Sequence, residues 1–491
     1  MSMAVVEGTV IHKLTRGQRV AFGFAKFGTA IFMQIVTIAI VYIYSTAFEL
    51  DQTLNAVGNA VGKIIIAFSG FIFGYISDIL KNPKWGRRKF FVWTGSPILA
   101  ISFVMIFIPH YFIPIGDDGL IFAWLLIWNS LFNLFYGYLT TPYQAWMPEV
   151  TTEDDRVAMS GLQNTANLVA TVGGLAFAFI FSGMLDDQIK KVGAINALKG
   201  KLGFILLVVV VIFALIEVAA FIPVLLKVKE EPVTRKERNV MREFKIVLSN
   251  RNYVLWFITQ GIYSMGLTIL TALTFNLISF LGLTGMVDFA VFAVAMFGTT
   301  MVSFIFWEKM SKRIGKRKGL FISYGCLIVI LPLTLVLGKI PFIPNNVQTW
   351  IFGLLLGFGL STTYLFPNAI IGDLADEDER KTNESRAGMY TGFNSIPLNI
   401  FQASAYLLVP ILYTPHSTGI VTSLILGIEK YPVHLTFRSG IGLKWLGPVV
   451  ALFFLLSLPT IYLGNFDPFF ASIHKTTEKL KKIKKEKVKK T

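Results

Sequence analysis

Twelve long apolar runs constrain this chain more than any other feature. They fall at roughly 20–48, 54–80, 90–112, 120–147, 163–185, 202–227, 253–281, 285–307, 318–340, 347–375, 388–413 and 445–465. A bilayer core about 30 Å thick needs about 20 apolar residues per helix. Strands of a membrane barrel need only about 10. The runs therefore predict an all-α membrane protein with twelve transmembrane helices. Composition agrees: 54% of the residues are hydrophobic and 15% charged, where a soluble domain carries about 25% charged residues. Disorder and an ordinary cytosolic enzyme are excluded. No short apolar segment with a small-residue cleavage site opens the chain, so the first span is expected to act as its own insertion signal. The single cysteine, Cys326, excludes a disulfide framework and a cysteine-based metal site.

A net charge of +16 invites a nucleic-acid reading, and the placement of the charge argues against it. With the N-terminus inside, 35 of the 45 Lys and Arg fall on inside loops and tails and 8 on outside loops. That bias is the positive-inside rule, and it predicts a multi-pass protein of the cell membrane with both termini cytoplasmic. No nucleic-acid partner is expected. The basic tail Lys475–Lys490 has two readings, contact with anionic membrane lipid or a solvated tail.

The chain also repeats itself. Asp78 … Trp85-Gly86-Arg87-Arg88-Lys89 is echoed by Glu308 … Ile314-Gly315-Lys316-Arg317-Lys318, with the glycine 229 positions later. Pro148-Glu149 … Glu153-Asp154-Asp155-Arg156 is echoed by Gly372-Asp373 … Asp376-Glu377-Asp378-Glu379-Arg380. Two related six-helix halves are expected: 1–227, a cytoplasmic linker at 228–250, 251–465, and a basic tail at 466–491. Duplicated halves are the architecture of the major facilitator fold. The recurring acids and bases, Asp78, Arg87, Arg88, Glu149, Arg156, Glu308, Arg317, Asp373, Arg380 and Arg386, suit a cytoplasmic gate of charge pairs, and positive-inside anchoring explains the basic ones equally simply.

The segment Asn368–Gly392, NAIIGDLADEDERKTNESRAGMYTG, resembles the signature after helix 10 of the glycoside–pentoside–hexuronide:cation symporters. Asp373, Arg386, Gly388, Tyr390 and Gly392 fall on that pattern, and Pro142-Tyr143 … Pro148-Glu149 is similar to the family's helix 4 exit. Phe73-Gly74-Tyr75-Ile76-Ser77-Asp78 with Gly86-Arg87-Arg88 is closer to the related sucrose transporters. The resemblance implies a major facilitator fold that moves a sugar or glycoside by alternating access with a monovalent cation. It also carries departures. Where the melibiose-permease branch has its helix 2 acids, this chain has about Ile66 and Gly70; its sugar-contacting helix 4 acid falls on Thr140, its helix 5 arginine near Asn164 and its helix 11 lysine near Asn399. The implied sodium site is missing, so a proton or no coupling ion is expected.

Polar side chains within spans tend to face the bundle interior. At about 100° per residue, Asn129, Asn133, Tyr136, Thr140 and Gln144 of span 4 share one face, although Pro142 is expected to disturb its last turn. Asn164, Asn167 and Thr171 do so in span 5, Tyr364 and Asn368 in span 10, and Ser395, Asn399, Gln402 and Tyr406 in span 11. Amides both donate and accept, which suits a neutral polyhydroxyl substrate, with Trp93, Trp124, Trp128 and Tyr136 available to stack on a sugar face. Interhelical bonding is the plainer role for any single asparagine.

Three charges stand out within the spans: Lys26, Lys63 and Glu217. Lys26 suits snorkelling to the interface. Lys63 suits a substrate carboxylate, an acid partner, or the role of a bound cation. Glu217 is the deep carboxylate of the first half and the expected proton carrier. The five histidines, His12, His110, His416, His434 and His474, have no metal-binding spacing, and no phosphate-cradling Gly-Lys-Ser/Thr loop is present. No enzyme activity, cofactor or metal is expected. The expectation is a monomeric secondary transporter of a sugar or glycoside, probed against a second possibility, a lysolipid or other amphiphile entering a site lined by some of the 44 phenylalanines.

Overall fold

The computed structural model describes residues 4–6, 9–11, 14–80, 86–150, 153–230, 240–281, 283, 286–382, 387–413 and 441–468. Twelve of its helices are long and apolar enough to cross a membrane. Span 1 joins Arg16–Phe24 to Lys26–Thr46 across a break at Ala25, and spans 2 to 6 are Gln52–Ile79, Arg87–Phe107, Asp118–Val150, Glu153–Val192 and Lys201–Lys227. Spans 7 to 12 are Arg251–Phe280, Met286–Ile314, Lys316–Ile330, Asn345–Leu365 continued by Pro367–Thr382, Ala387–Tyr413 and Leu446–Leu463. A short helix, Val240–Ser249, leads into span 7. Two three-residue strands, Ala4–Val6 and Thr9–Ile11, pair antiparallel before span 1, a small addition to the all-α expectation.

Several helices outrun their apolar runs. Span 5 extends to Val192 and span 8 to Ile314, because polar turns continue a helix after its apolar part has ended. Others stop early for want of a backbone donor. Span 3 ends at Phe107, just before Pro109, and the α-helix of span 9 ends at Ile330, tightening into a 3-10 turn over Leu331–Leu335 that contains Pro332. Span 10 breaks at Phe366, before Pro367. Span 4 runs through Pro142 without a break.

The duplicated loops adopt the same backbone. Gly86 and Gly315 precede spans 3 and 9 with φ +79° and ψ 167°, and φ +89° and ψ 158°. Only glycine adopts that region without strain, which accounts for the residue the two halves share. Within the first half, spans 2 and 4 approach closely along glycines four residues apart. A side chain at Gly58 would meet Leu125, and one at Gly62 would come within 2.7 Å of the Asn129 and Asn133 amide nitrogens. Gly137 answers from span 4, against Ser69.

Between halves, span 2 packs along span 11, span 5 along span 8, and span 1 against span 7. Tyr42 of span 1 meets Phe275 at 5.4 Å between ring centroids, and Phe179 of span 5 meets Phe275, Phe292 and Phe297 at 4.6–6.0 Å. This aromatic cluster seals the two halves at the face opposite the chain termini. Ring pairs of this kind contribute about 0.5–1.5 kcal/mol each beyond the area they bury.

Candidate functional site

A small chamber lies between the halves, lined by Met33, Val36 and Thr37 of span 1, Asn59 and Lys63 of span 2, Asn129 and Asn133 of span 4, and Tyr406 of span 11. Its amides form two ladders that run along their helices. Asn133 Nδ2 donates to the Asn129 carbonyl and to its Oδ1 at 2.8 and 2.9 Å, and Asn129 Nδ2 donates to the Gly58 carbonyl at 3.1 Å. Asn59 Nδ2 donates to the Asn55 carbonyl and Oδ1, both at 2.9 Å, and Asn55 Nδ2 donates to the Val41 carbonyl at 2.9 Å. The Asn59 and Asn133 amide donors are thus spent inside the protein, and Gly62 is the residue that lets the two ladders meet. Lys63 lines the same chamber, and among the described residues no Asp or Glu does.

The other proposed substrate residues lie elsewhere or outside this lining. Tyr136 is partly buried and receives Thr140 Oγ1 on its backbone carbonyl at 2.7 Å. Gln144 and Gln402 are partly buried, and Asn167 is exposed. Tyr364 is 45% exposed. Asn399 is turned onto its own helix, donating to the Ser395 carbonyl at 2.8 Å. The side chains of Asn164 and Asn368 lie outside the described residues. The tryptophans do not line the chamber either: Trp124 donates to the Met105 carbonyl at 2.7 Å and stacks on Phe112, Trp128 packs at its edge, and Trp93 is exposed. Met33 and Thr37 had no sequence signal, because span 1 is apolar on nearly every face.

Glu217 is fully buried behind the chamber, among spans 1, 3 and 6. Ser96 Oγ donates to its Oε2 at 2.9 Å, and its Oε1 has no hydrogen-bond partner. Gly28 of span 1 is packed on it: an added methyl group would come within 2.7 Å of the Glu217 backbone. No ion pair joins Glu217 to Lys63 among the described residues. Lys26 is partly buried, two residues before Glu217's contact at Gly28. His110, in the turn after span 3, is held neutral, since burial lowers its pKa to about 4.

The charged loops pair differently from the expectation. Glu308 bonds Lys312 on its own helix at 2.6 Å, and Arg317 bonds the Ile461 and Tyr462 carbonyls at the end of span 12. Arg88 is fully buried and bonds Ser77; Arg87 approaches Glu230 at 3.9 Å. Lys316 pairs with Asp373, joining spans 9 and 10 within one half. Arg380 is exposed. Asp78, Glu149, Arg156 and Arg386 have side chains outside the described residues.

Two acids that the sequence did not single out hold these loops. Glu230, beyond span 6, accepts the Arg88 backbone N–H at 2.7 Å and that of Lys89 at 3.1 Å. Asp467, beyond span 12, accepts those of Lys316 at 2.9 Å and Arg317 at 2.6 Å. Each carboxylate meets the unpaired donors and positive dipole of a helix start. The two acids occupy equivalent places in the two halves.

Residues 21–413 match the family described as MFS/sugar transport protein. An uncharacterized symporter of Synechocystis sp. is 23% identical over 94% of this chain and 96% of its own, and the isoprimeverose transporter of Lactiplantibacillus pentosus is 22% identical over 80% and 79%. Among solved structures, a D-xylose-proton symporter superposes with a TM-score of 0.60 at 13% identity, over 91% of this chain and 98% of its own. With twelve spanning helices in two related six-helix halves, the chain is a multi-pass membrane protein of the major facilitator fold, and it belongs to the MFS/sugar transport protein family.

Proposed function

We propose that the protein is a secondary transporter that carries a sugar or glycoside across the cell membrane, coupled to a proton, by alternating access of its halves. The observation that carries this reading is the chamber between the halves, lined by Asn59, Lys63, Asn129, Asn133 and Tyr406. Amide oxygens and a tyrosine hydroxyl suit the hydroxyl groups of a sugar. The named activity of the Lactiplantibacillus pentosus relative, isoprimeverose transport, supports the substrate class. Among the described residues the lining contains no phenylalanine, which disfavours an amphiphile.

The halves divide at residues 228–250, and both termini are cytoplasmic, as the Lys and Arg bias requires. The sealed aromatic face is then extracellular. The protein acts as a monomer, and its basic tail lies near anionic lipid. In alternation, the cluster around Tyr42 and Phe275 opens while the helices at the terminal face close. Glu217 carries the proton. It is not among the described lining residues, and it acts through Gly28, whose helix also carries Met33, Val36 and Thr37 into the chamber.

Proteoliposomes containing the purified protein test the reading. An inward proton gradient should drive accumulation of a glycoside, and an inward sodium gradient at equal pH should not. Accumulation driven by sodium alone would place the cation site elsewhere and overturn the proton assignment. Failure of every sugar and glycoside, with transport of a lysolipid, would overturn the substrate class.

A further inference from the structure

We infer that Lys63 makes this chamber a site for an anionic sugar, a hydroxylated ring bearing a carboxylate or sulfonate. The inference rests on the transporter reading above and narrows its substrate from sugars in general to acidic ones.

Lys63 lies twelve residues into the 28-residue span 2, far from either end of the helix. None of the ion pairs among the described residues includes it. No acid among the described residues lines the chamber it faces. The nearest deep carboxylate, Glu217, is engaged by Ser96 and sealed behind span 1 by Gly28. A cation held at this depth without an anion is costly, and such residues are kept where they meet a partner or a substrate path. With no protein anion in the chamber, the compensating charge has to arrive with the ligand.

The amides narrow the rest of the ligand. The Asn59 and Asn133 nitrogens are committed to Asn55 and Asn129. Their Oδ1 atoms receive no hydrogen bond from a described residue and stand as acceptors in the chamber that Lys63 lines. One cation next to two acceptor oxygens matches one anionic group next to hydroxyl donors. It is a poor match for a metal ion, which Lys63 would repel, and for a ligand rich only in acceptors. Lysine, a compact point charge with rotatable donors, accommodates either a planar carboxylate or a tetrahedral sulfonate.

The test compares three ligands that share one ring: methyl glucoside, methyl glucuronide, and the methyl glucoside with a sulfonate in place of its 6-hydroxyl. Binding to the full-length purified protein is read from thermal shift, since a ligand stabilises by RT ln(1 + [L]/Kd), and transport from counterflow in proteoliposomes. The acidic ligands should bind about tenfold or more tighter than the neutral one, as a single charge-assisted contact allows. Which acid binds tighter separates carboxylate from sulfonate. Lys63→Gln should remove that preference, so that the acidic ligands bind no tighter than the neutral one, and Lys63→Arg should keep most of it; unliganded melting of both variants near the wild-type value would exclude misfolding. Equal binding of all three ligands, or a preference for the acids that survives Lys63→Gln, would overturn the inference and leave sugar transport standing. Loss of neutral glucoside binding in Lys63→Gln would also overturn it, and would make Lys63 the stand-in for a bound cation. Binding of none of the three, with binding of a lysolipid, would remove the sugar reading as well.

Discussion

Asp186 of span 5 accepts a hydrogen bond at 2.8 Å from Ser279 Oγ of span 7, joining the two halves directly. Asp186 is buried, pairs with Lys190 at 3.0 Å, and takes a longer bond from Tyr42 at 3.4 Å. It sits beside the aromatic cluster and serves as the polar latch of that face. Ser279→Ala removes the link between halves and leaves the Asp186–Lys190 pair in place. A hydrogen bond to a charged group contributes about 1.5–3 kcal/mol, so the closed state should lose about tenfold or more of its population advantage. On a Cys326→Ser background, a cysteine at Thr37 should react correspondingly faster with a thiol reagent entering from that face. An unchanged rate would show that the aromatic rings close the face without the latch.

Glu230 and Asp467 should matter equally although they lie 237 positions apart. Each caps the start of a helix whose first residues are basic, and losing such a cap costs about 1–2 kcal/mol. Glu230→Ala and Asp467→Ala should each lower the melting temperature of the purified protein, and Glu379→Ala, at an exposed position, should not. If the two caps behave differently, the halves do not share this device.

Gly62 is where the chamber's asparagines meet span 2. Overpacking a tight contact costs about 1–3 kcal/mol, and a methyl group there would press on both Asn129 and Asn133. Gly62→Ala should strongly reduce transport, whereas Gly298→Ala, where an added methyl group meets nothing within 4 Å, should be tolerated. Normal uptake by Gly62→Ala would mean that the two asparagine ladders are free to move apart.

Much of this architecture is legible in the sequence, because a helix in lipid must be long and apolar whatever its neighbours are. Lys63 is legible for the same reason, as a charge within an apolar run. The Asn129 and Asn133 face is legible from helical spacing. The partners are not. Arg88 and Glu230 are 142 positions apart, and nothing local says that the acid beyond span 6 returns to cap span 3. Asp186 fell one residue past the apolar run at 163–185 and read as a loop residue, although its helix continues to Val192 and turns it toward Ser279. The tryptophans are ambiguous in sequence for a physical reason: an indole in a span bonds any nearby carbonyl, as Trp124 does with Met105, without facing a cavity.

Glu217 is the remaining test of energy coupling. Its carboxylate has one bonded oxygen and one oxygen without a partner, in a pocket closed by Gly28, Ser96 and its own helix. A proton on the free oxygen removes a charge from a dry site, and its departure restores one, so the packing of span 1 should differ between the two forms. Span 1 also supplies Met33, Val36 and Thr37 to the chamber, which gives the proton a route to the substrate without touching it. Glu217→Gln fixes the neutral form at nearly constant volume and still offers an oxygen to Ser96. In proteoliposomes, the variant should exchange substrate at the wild-type rate and should lose accumulation driven by an inward pH gradient. Ser96→Ala should weaken accumulation less, since it leaves the carboxylate in place. If Glu217→Gln still concentrates its substrate under a pH gradient, the proton travels by another group and Glu217 is a packing residue alone.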